Sequence, residues 1–351
     1  MPDTNEPLVS IVTPFYNIEP YLAECIESVL AQTYSNWEYV LLNNCSSDGS
    51  REIAQRYAAL DRRIRLLDND RFLSQVGNYN RALQQISPAS RYTKMLEADN
   101  WLYKNCIAEM VAIAEAHPRV GVIGAYTITE KAIWFQALPR GTSTVSGAEL
   151  ARLYMCERLY PFGAPTSIML RSSIVRDRQP FFDEKVHAED LVAYYEVLSD
   201  HDFAFVHQIL TFIRTENESI LSRLRPFTTV HGFNGSTVDR FVVIKRAGKR
   251  FLGASEYERA YRVAKERVHR QLALGVLAGQ VGDYLAFHRT ALRDVGEDVE
   301  WLRLAKHVGI EAARVLLNPG SLAAAMLRKL GQGVRRSSHA DPRKSEVNRR
   351  V

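Results

Sequence analysis

No apolar run in this 351-residue sequence approaches the roughly 18 to 20 residues that a membrane-spanning helix needs. The opening segment "MPDTNEPL" has neither a basic stretch nor an apolar core, so no signal peptide is expected. Cysteine is scarce. Cys25, Cys45, Cys106 and Cys156 are scattered without a CxxC pair, which argues against a zinc site or disulfide framework. Reduced thiols in a cytosolic setting are the expectation. Glycine is missing where two nucleotide-binding folds require it. A dinucleotide fold places GxGxxG after its first strand, but the turn here reads "TPFYNIEP". A phosphate-cradling P-loop is equally absent. If a nucleotide binds, something else must neutralise its phosphates, and a cation held by carboxylates is the usual substitute.

The net charge of +5 is modest but unevenly spread, because "KRAGKRF", "RVAKERVHR", "LRKLGQGVRR" and "DPRKSEVNRR" all lie in the C-terminal third. A basic end suits an anionic membrane surface or a nucleic acid, and is equally an ordinary solvated face.

The first half alternates two periodicities. "LVSIVTPF" is a continuous apolar run rich in β-branched residues, as expected for a strand buried on both faces. In "IEPYLAECIESVLAQTY", Leu22, Cys25, Ile26, Val29 and Leu30 recur with helical spacing, and Pro20 suits the first turn. "WEYVLLN", "RIRLLDN", "RYTKML" and "VGVIGAYTI" read as further strands. "REIAQRYAAL", "QVGNYNRALQQI" and "NCIAEMVAIAEAH" read as helices, the first of them capped by Ser or Asp48 of "SSDGS". This alternation predicts an α/β fold with a mostly parallel sheet covered on both faces. Beyond Trp134 the rhythm loosens. "VSGAELARLYMC" and "AEDLVAYYEVLS" look helical, "PTSIMLR" and "FAFVHQILTFIR" strand-like, and the pattern is helical from Ser222 to about Leu330. The expected division is a first domain over 1–222, a helical region over 223–332, and a disordered basic tail over 333–351.

At the carboxyl edge of such a sheet the loops "TPFYN", "NNCSSDGS", "EADN" and "HAED" should gather, and open α/β sheets bind ligands there. Through these loops the sequence strongly resembles the family-2 glycosyltransferases of the GT-A fold. The matching elements are "VSIVTPFYN", "LLNNCSSDGS", "NYNRAL", "KMLEADNWL", "FDEKVHAEDLVAYYEVL" and "FIRTENES", in order over roughly residues 8–220.

The resemblance implies an inverting transferase that uses a nucleotide-diphosphate sugar and Mn2+ or Mg2+, with UDP-sugars the family's commonest donors. By position it places Thr13, Pro14 and Tyr16 along the base pocket and Asn43 or Asn44 at the base edge. Asn80 and Arg81 lie on the helix that faces the nucleotide, and Arg214 matches an arginine able to reach the diphosphate. Asp99 would bind the metal, with Glu97 and Ala98 beside it in the acidic motif. Asp190 would be the general base, with Glu189 and His187 next to it and Trp101 or Trp134 as acceptor walls. Each has an ordinary structural alternative: helix capping for Asp99, Glu189 and Asp190, turn chemistry for the asparagines, and core packing for the tryptophans.

Three positions depart from the family pattern, which commonly has aspartate at Asn43, Glu97 and Asn100. They motivate a rival reading, a catalytically silent scaffold that only binds nucleotide sugars. Retention of Asp99, "HAED" and Arg214 favours the enzyme. The QxxRW motif and membrane spans of processive relatives are missing, so one sugar per acceptor is expected. The acceptor would be a glycan or lipid-linked glycan, and no nucleic-acid partner is expected. Leu322, Ala325, Met326 and Leu330 beside Arg328, Lys329 and Arg335 suggest peripheral contact with the inner face of the cell membrane, or alternatively a packing helix.

Overall fold

The computed structural model describes residues 6–134, 138–139, 141–157, 159–215 and 236–317. Strands β1 (Val9–Phe15), β2 (Trp37–Asn43), β3 (Ile64–Asp68) and β4 (Tyr92–Met95) alternate with helices α1 (Glu19–Leu30), α2 (Ser50–Leu60) and α3 (Gln75–Leu83). Then follow β5 (Trp101–Leu102), α4 (Cys106–Ala116), β6 (Val120–Ile128), β7 (Ile133–Trp134), β8 (Thr144–Val145) and α5 (Gly147–Arg152). After α5 come β9 (Ile168–Arg171), α6 (Ser172–Asp177), α7 (Glu189–Val197) and β10 (Asp202–Phe212). Four helices close the described chain: α8 (Ser236–Phe251), α9 (Ala254–Leu277), α10 (Asp283–Arg293) and α11 (Trp301–Leu317).

The sheet order is β3-β2-β1-β4-β9-β6-β10-β5. β1 to β4 are mutually parallel, as are β6 and β10, while the short β9 runs antiparallel between β4 and β6. Strand period decides which face each side chain meets. Val9, Ile11, Tyr39 and Leu41 pack with α1 and α4, whereas Val12, Val40 and Leu42 join the core that holds α3 and α7. That second core continues without a break into α8, α9 and α10 through Phe241, Val242, Leu272 and Tyr284. The C-terminal helices therefore complete the burial of one sheet face.

Two features of the topology create a crevice. The strand order reverses at β1, with β2 on one side and β4 on the other, which is where such sheets bind ligands. In addition, β4 stays paired with β1 only from Val9 to Val12, whereas β2 follows β1 to Phe15. Pro14, which has no N–H to offer, is buried where the gap has begun to open.

Candidate active site

The acidic turn follows β4. Glu97 and Asp99 are half-buried, Ala98 between them is buried, and the Asn100 amide N–H closes the turn on the Glu97 carbonyl at 3.0 Å. Glu97 is thoroughly held. Its Oε1 accepts from the Tyr79 hydroxyl at 2.9 Å, and its Oε2 accepts from Thr166 at 3.0 Å and the Asn100 amide at 3.2 Å. Burial, then the charge of Asp99, push its pKa up to about 7. Beneath the turn, Lys94 is fully buried and donates to the Thr166 and Ile168 carbonyls, so burial lowers its pKa to about 8. Lys94 thus ties β4 to the segment that presents Thr166 to Glu97.

Asn100 accepts from the Arg214 N–H through Oδ1 at 2.9 Å, a register set by β5 pairing antiparallel with the end of β10. The Arg214 guanidinium donates to the Asp99 carbonyl at 3.1 Å and to Glu24 at 2.6 Å, over the Tyr21 ring. It clasps the acid turn to α1. Trp101 stacks on Phe212 with centroids 5.0 Å apart and lies 4.6 Å from Tyr103, a half-buried aromatic ladder beside the acids.

The loops after β1 and β2 are interlocked. Asn17 takes φ 45° and accepts the Ser47 N–H at 2.8 Å, while Asp48 accepts from the Ser50 and Glu19 N–H groups. The N-cap of α2 is Gly49, so Asp48 lies one residue before the expected cap position and its carboxylate holds the first N–H of α2 and of α1. Cys45 occupies φ 61°, a left-handed conformation that glycine adopts more easily. Asn43 donates to Asp68 at 2.8 Å, and Asp68 is held by two bonds from Arg51 that keep its pKa below the usual carboxylate value. A carboxylate thus stands one strand away from the position where the family commonly has one. Tyr16 is 47% exposed and meets Phe72, 59% exposed, edge to face at 4.8 Å, leaving two aromatic rings open to a ligand.

Several expected pocket residues face elsewhere. Thr13 is wholly buried and bonded to the Tyr39 hydroxyl at 2.8 Å, so it belongs to the core. Asn80 exchanges two bonds with the Phe182 backbone, at 2.8 and 2.9 Å, and braces α3 against that loop. Asn44 spends its amide on the Leu73 backbone and Asn69, leaving little for a base edge. Arg81 is exposed and bonds Gln84 on its own helix. His201 and His207 bond backbone carbonyls, and the side chain of Trp134 lies outside the described residues.

On the other side of the crevice stands the start of α7. Asp190 is half-buried, and its Oδ1 accepts the Leu191 N–H at 2.7 Å. Burial, then the Glu189 charge, with weaker contributions from Asp239 and Glu97, raise its pKa to about 8. Glu97 and Asp190 therefore feel one another although 93 residues of chain separate their positions. His187 bonds Asp239 of α8 at 2.8 Å. Burial alone would lower the His187 pKa, but the Asp239 bond and charge outweigh it and the net shift is upward.

Among the described residues no group of three or more His, Cys, Asp and Glu side chains gathers as a ready metal cage. The site still fits a hard cation. Mg2+ and Mn2+ bind through one or two carboxylates plus substrate phosphates, and Glu97 and Asp99 are two such acids held close enough to repel.

Residues 10–178 match the family model described as Glycosyl transferase family 2. That segment, just under half of the chain, is similar to the transferase domain of the family. It is 35% identical over 95 residues to the "Putative teichuronic acid biosynthesis glycosyltransferase TuaG" of Bacillus subtilis, covering 27% of this chain and 37% of that protein. It is 29% identical over 182 residues to the Escherichia coli "UDP-Glc:alpha-D-GlcNAc-diphosphoundecaprenol beta-1,3-glucosyltransferase WfgD", covering 48% and 70% respectively. The chain thus spans little more than a third of the Bacillus relative. Among solved structures, S. aureus TarS 1-349 matches with TM-score 0.58 and 15% identity over 83% of this chain and 80% of that one. The mannosyltransferase PcManGT of Pyrobaculum calidifontis, in complex with GDP-Man and Mn2+, matches with TM-score 0.55 and 16% identity over 97% and 90%. At such identities the likeness is one of fold, the GT-A fold.

Proposed function

We propose that this protein moves one sugar from a nucleoside-diphosphate donor to an acceptor hydroxyl, with inversion at the anomeric carbon. The observation that carries this reading is the opposition of two acid groups across one crevice. Glu97 and Asp99 follow β4 at the switch point, and Asp190 opens α7 within the electrostatic reach of Glu97.

Each acid then has a distinct task. Asp99 would hold the divalent cation with the donor's phosphates, and a bound Mn2+ or Mg2+ supplies Lewis-acid stabilisation of the departing diphosphate. Glu97, locked by Tyr79, Thr166 and Asn100, fixes the turn that carries Asp99. Asp190 takes the acceptor's hydroxyl proton as the oxygen bonds to the anomeric carbon. The bond from that carbon to the diphosphate breaks, and its electron pair leaves with the nucleoside diphosphate. A carboxylate with a raised pKa is a stronger base once ionised, which suits a hydroxyl nucleophile.

For the donor base, the exposed Tyr16–Phe72 pair and the Asn43–Asp68 pair offer stacking and edge contacts. Uridine is favoured by the donors named for similar proteins, WfgD and a TarS complex with UDP-GlcNAc. A lipid-linked glycan is the favoured acceptor, by analogy with the acceptor named for WfgD.

The scaffold reading loses ground because Asn43, Glu97 and Asn100 are each hydrogen-bonded into the acid turn or its neighbouring loops. The test is release of nucleoside diphosphate from UDP-glucose, UDP-GlcNAc and GDP-mannose with Mn2+. Turnover of a uridine donor that EDTA removes supports the proposal. Binding without turnover of any donor would support the scaffold instead.

A further inference from the structure

We propose that Asp239, on C-terminal helix α8, is a positioning residue for Asp190 and acts through His187; this rests on Asp190 being the base. The turn in front of Asp190 is unusual. Ala188, immediately before α7, adopts φ 58° and ψ 44°, a left-handed conformation unfavourable for a residue with a Cβ. No side chain caps the helix there, so the turn's geometry must be imposed from outside.

Helix α8 imposes it at two points. Asp239 meets His187 at 2.8 Å, and Arg246 meets Asp183 at 2.8 Å. Residues 239 and 246 lie seven apart, about two helical turns, so both grip the loop from one face of α8. The inner pair is the less exposed, with side chains 22% and 20% accessible against 36% and 37% for the outer pair. Phe287 of α10 also meets the His187 ring, edge to face at 5.0 Å. The imidazole therefore cannot swing without breaking a charged bond and an aromatic contact together.

His187 stands one peptide away from the strained residue and three residues before the base. The groups that face this turn are Glu189 on α7 itself, Asp239 on α8, His288 of α10, Asp294 after α10, and Glu97 across the crevice. Acids dominate. His187 is the basic side chain set among them, and Asp239 holds it at 2.8 Å.

The experiment uses the full chain and the three donors named above with Mn2+, reading kcat and KM together with an NMR titration of the His187 ring. Asp239→Asn should lower kcat about ten- to a hundred-fold at unchanged donor KM, as a misplacement of about 1 Å does. Asp239→Glu should fall between the two. The His187 pKa should drop by about one unit or more in Asp239→Asn, because it loses a charged partner in contact. Full kcat in Asp239→Asn, or an unmoved His187 titration, overturns the proposal. Should Asp239→Asn not fold, Asp239→Glu decides: reduced kcat at constant KM supports the proposal and unchanged kcat rejects it. Asp190→Asn separates the two claims. If that variant turns over normally, the base assignment fails and this proposal with it. If it is dead while Asp239→Asn is normal, only the role of Asp239 fails.

Discussion

At Asp190, catalysis and stability pull in opposite directions. Its folded-state pKa lies well above the ordinary carboxylate value of about 3.9, through burial first and Glu189 second. The folded chain therefore retains a proton that the unfolded chain has released, and stability falls as pH rises from about 4 toward the folded pKa. Asp190→Asn removes this cost, so it should melt at a higher temperature than the unaltered protein at about pH 7.5. The gap should close toward about pH 4, and calorimetric scans across that range read the result. A second prediction concerns Asp99. Calorimetry with UDP should show metal-dependent binding that EDTA abolishes, and Asp99→Ala should lose it; equal affinity with and without EDTA would remove the metal from the account. Much at this scale was legible in the sequence, because acids at the ends of apolar strands stand out. What escaped is where neutral residues end up. Thr13 and Asn80 are polar residues near the motif, yet tertiary packing turns both into internal braces. Asp68, Phe72 and Thr166 carried no local signal, since each matters only through a partner from a distant segment. A lysine inside the buried strand "YTKML" was the one hint available.

Among elements, the parallel half of the sheet follows directly from strand and helix periodicities in the first 130 residues. Helices and strands fall within a few residues of expectation there, because each apolar face has only one place to go. The later half is less transparent. β9 was expected as a strand, but its antiparallel insertion between β4 and β6 is a pairing choice that no local pattern encodes. β5 is two residues long, too short for a period, yet it sets the Asn100–Arg214 contact. The junction of α5 with the end of α7 allows a sharp test. A Cβ on Gly147 would lie 2.0 Å from the Leu198 carbonyl oxygen and 2.3 Å from that of His201. Backbone cannot yield as a flexible side chain can. Gly147→Ala should cost about 1–3 kcal/mol or more in denaturant unfolding; an unchanged midpoint would mean that α5 and α7 are not packed this way.

For the whole molecule, the expected border near Ser222 does not coincide with a break in the apolar core. Phe241, Val242, Leu272 and Tyr284 pack in the same cluster as Tyr194 and Phe203. A chain ending at Ser222 would expose that face, and it should aggregate or melt without cooperativity. The stretch 318–336, with its basic and apolar residues, lies outside the described residues, and among those described no helix is long and apolar enough to cross a membrane. If the stretch docks peripherally, flotation with anionic liposomes should be lost on truncation after Asn318. Flotation that survives truncation assigns the contact elsewhere. All of these properties serve one claim, that Asp190 deprotonates an acceptor across the crevice from Asp99. Neighbouring Glu189 is its competitor at the start of α7, and consecutive helical residues point about 100° apart, so one of them faces the donor. The deciding measurement is sugar transfer by Asp190→Asn beside Glu189→Gln, with donor affinity measured for both. Asp190→Asn should lose about a hundred- to ten-thousand-fold in rate while still binding donor, and Glu189→Gln should be mild. A dead Glu189→Gln with an active Asp190→Asn, or full activity in both, would contradict the claim.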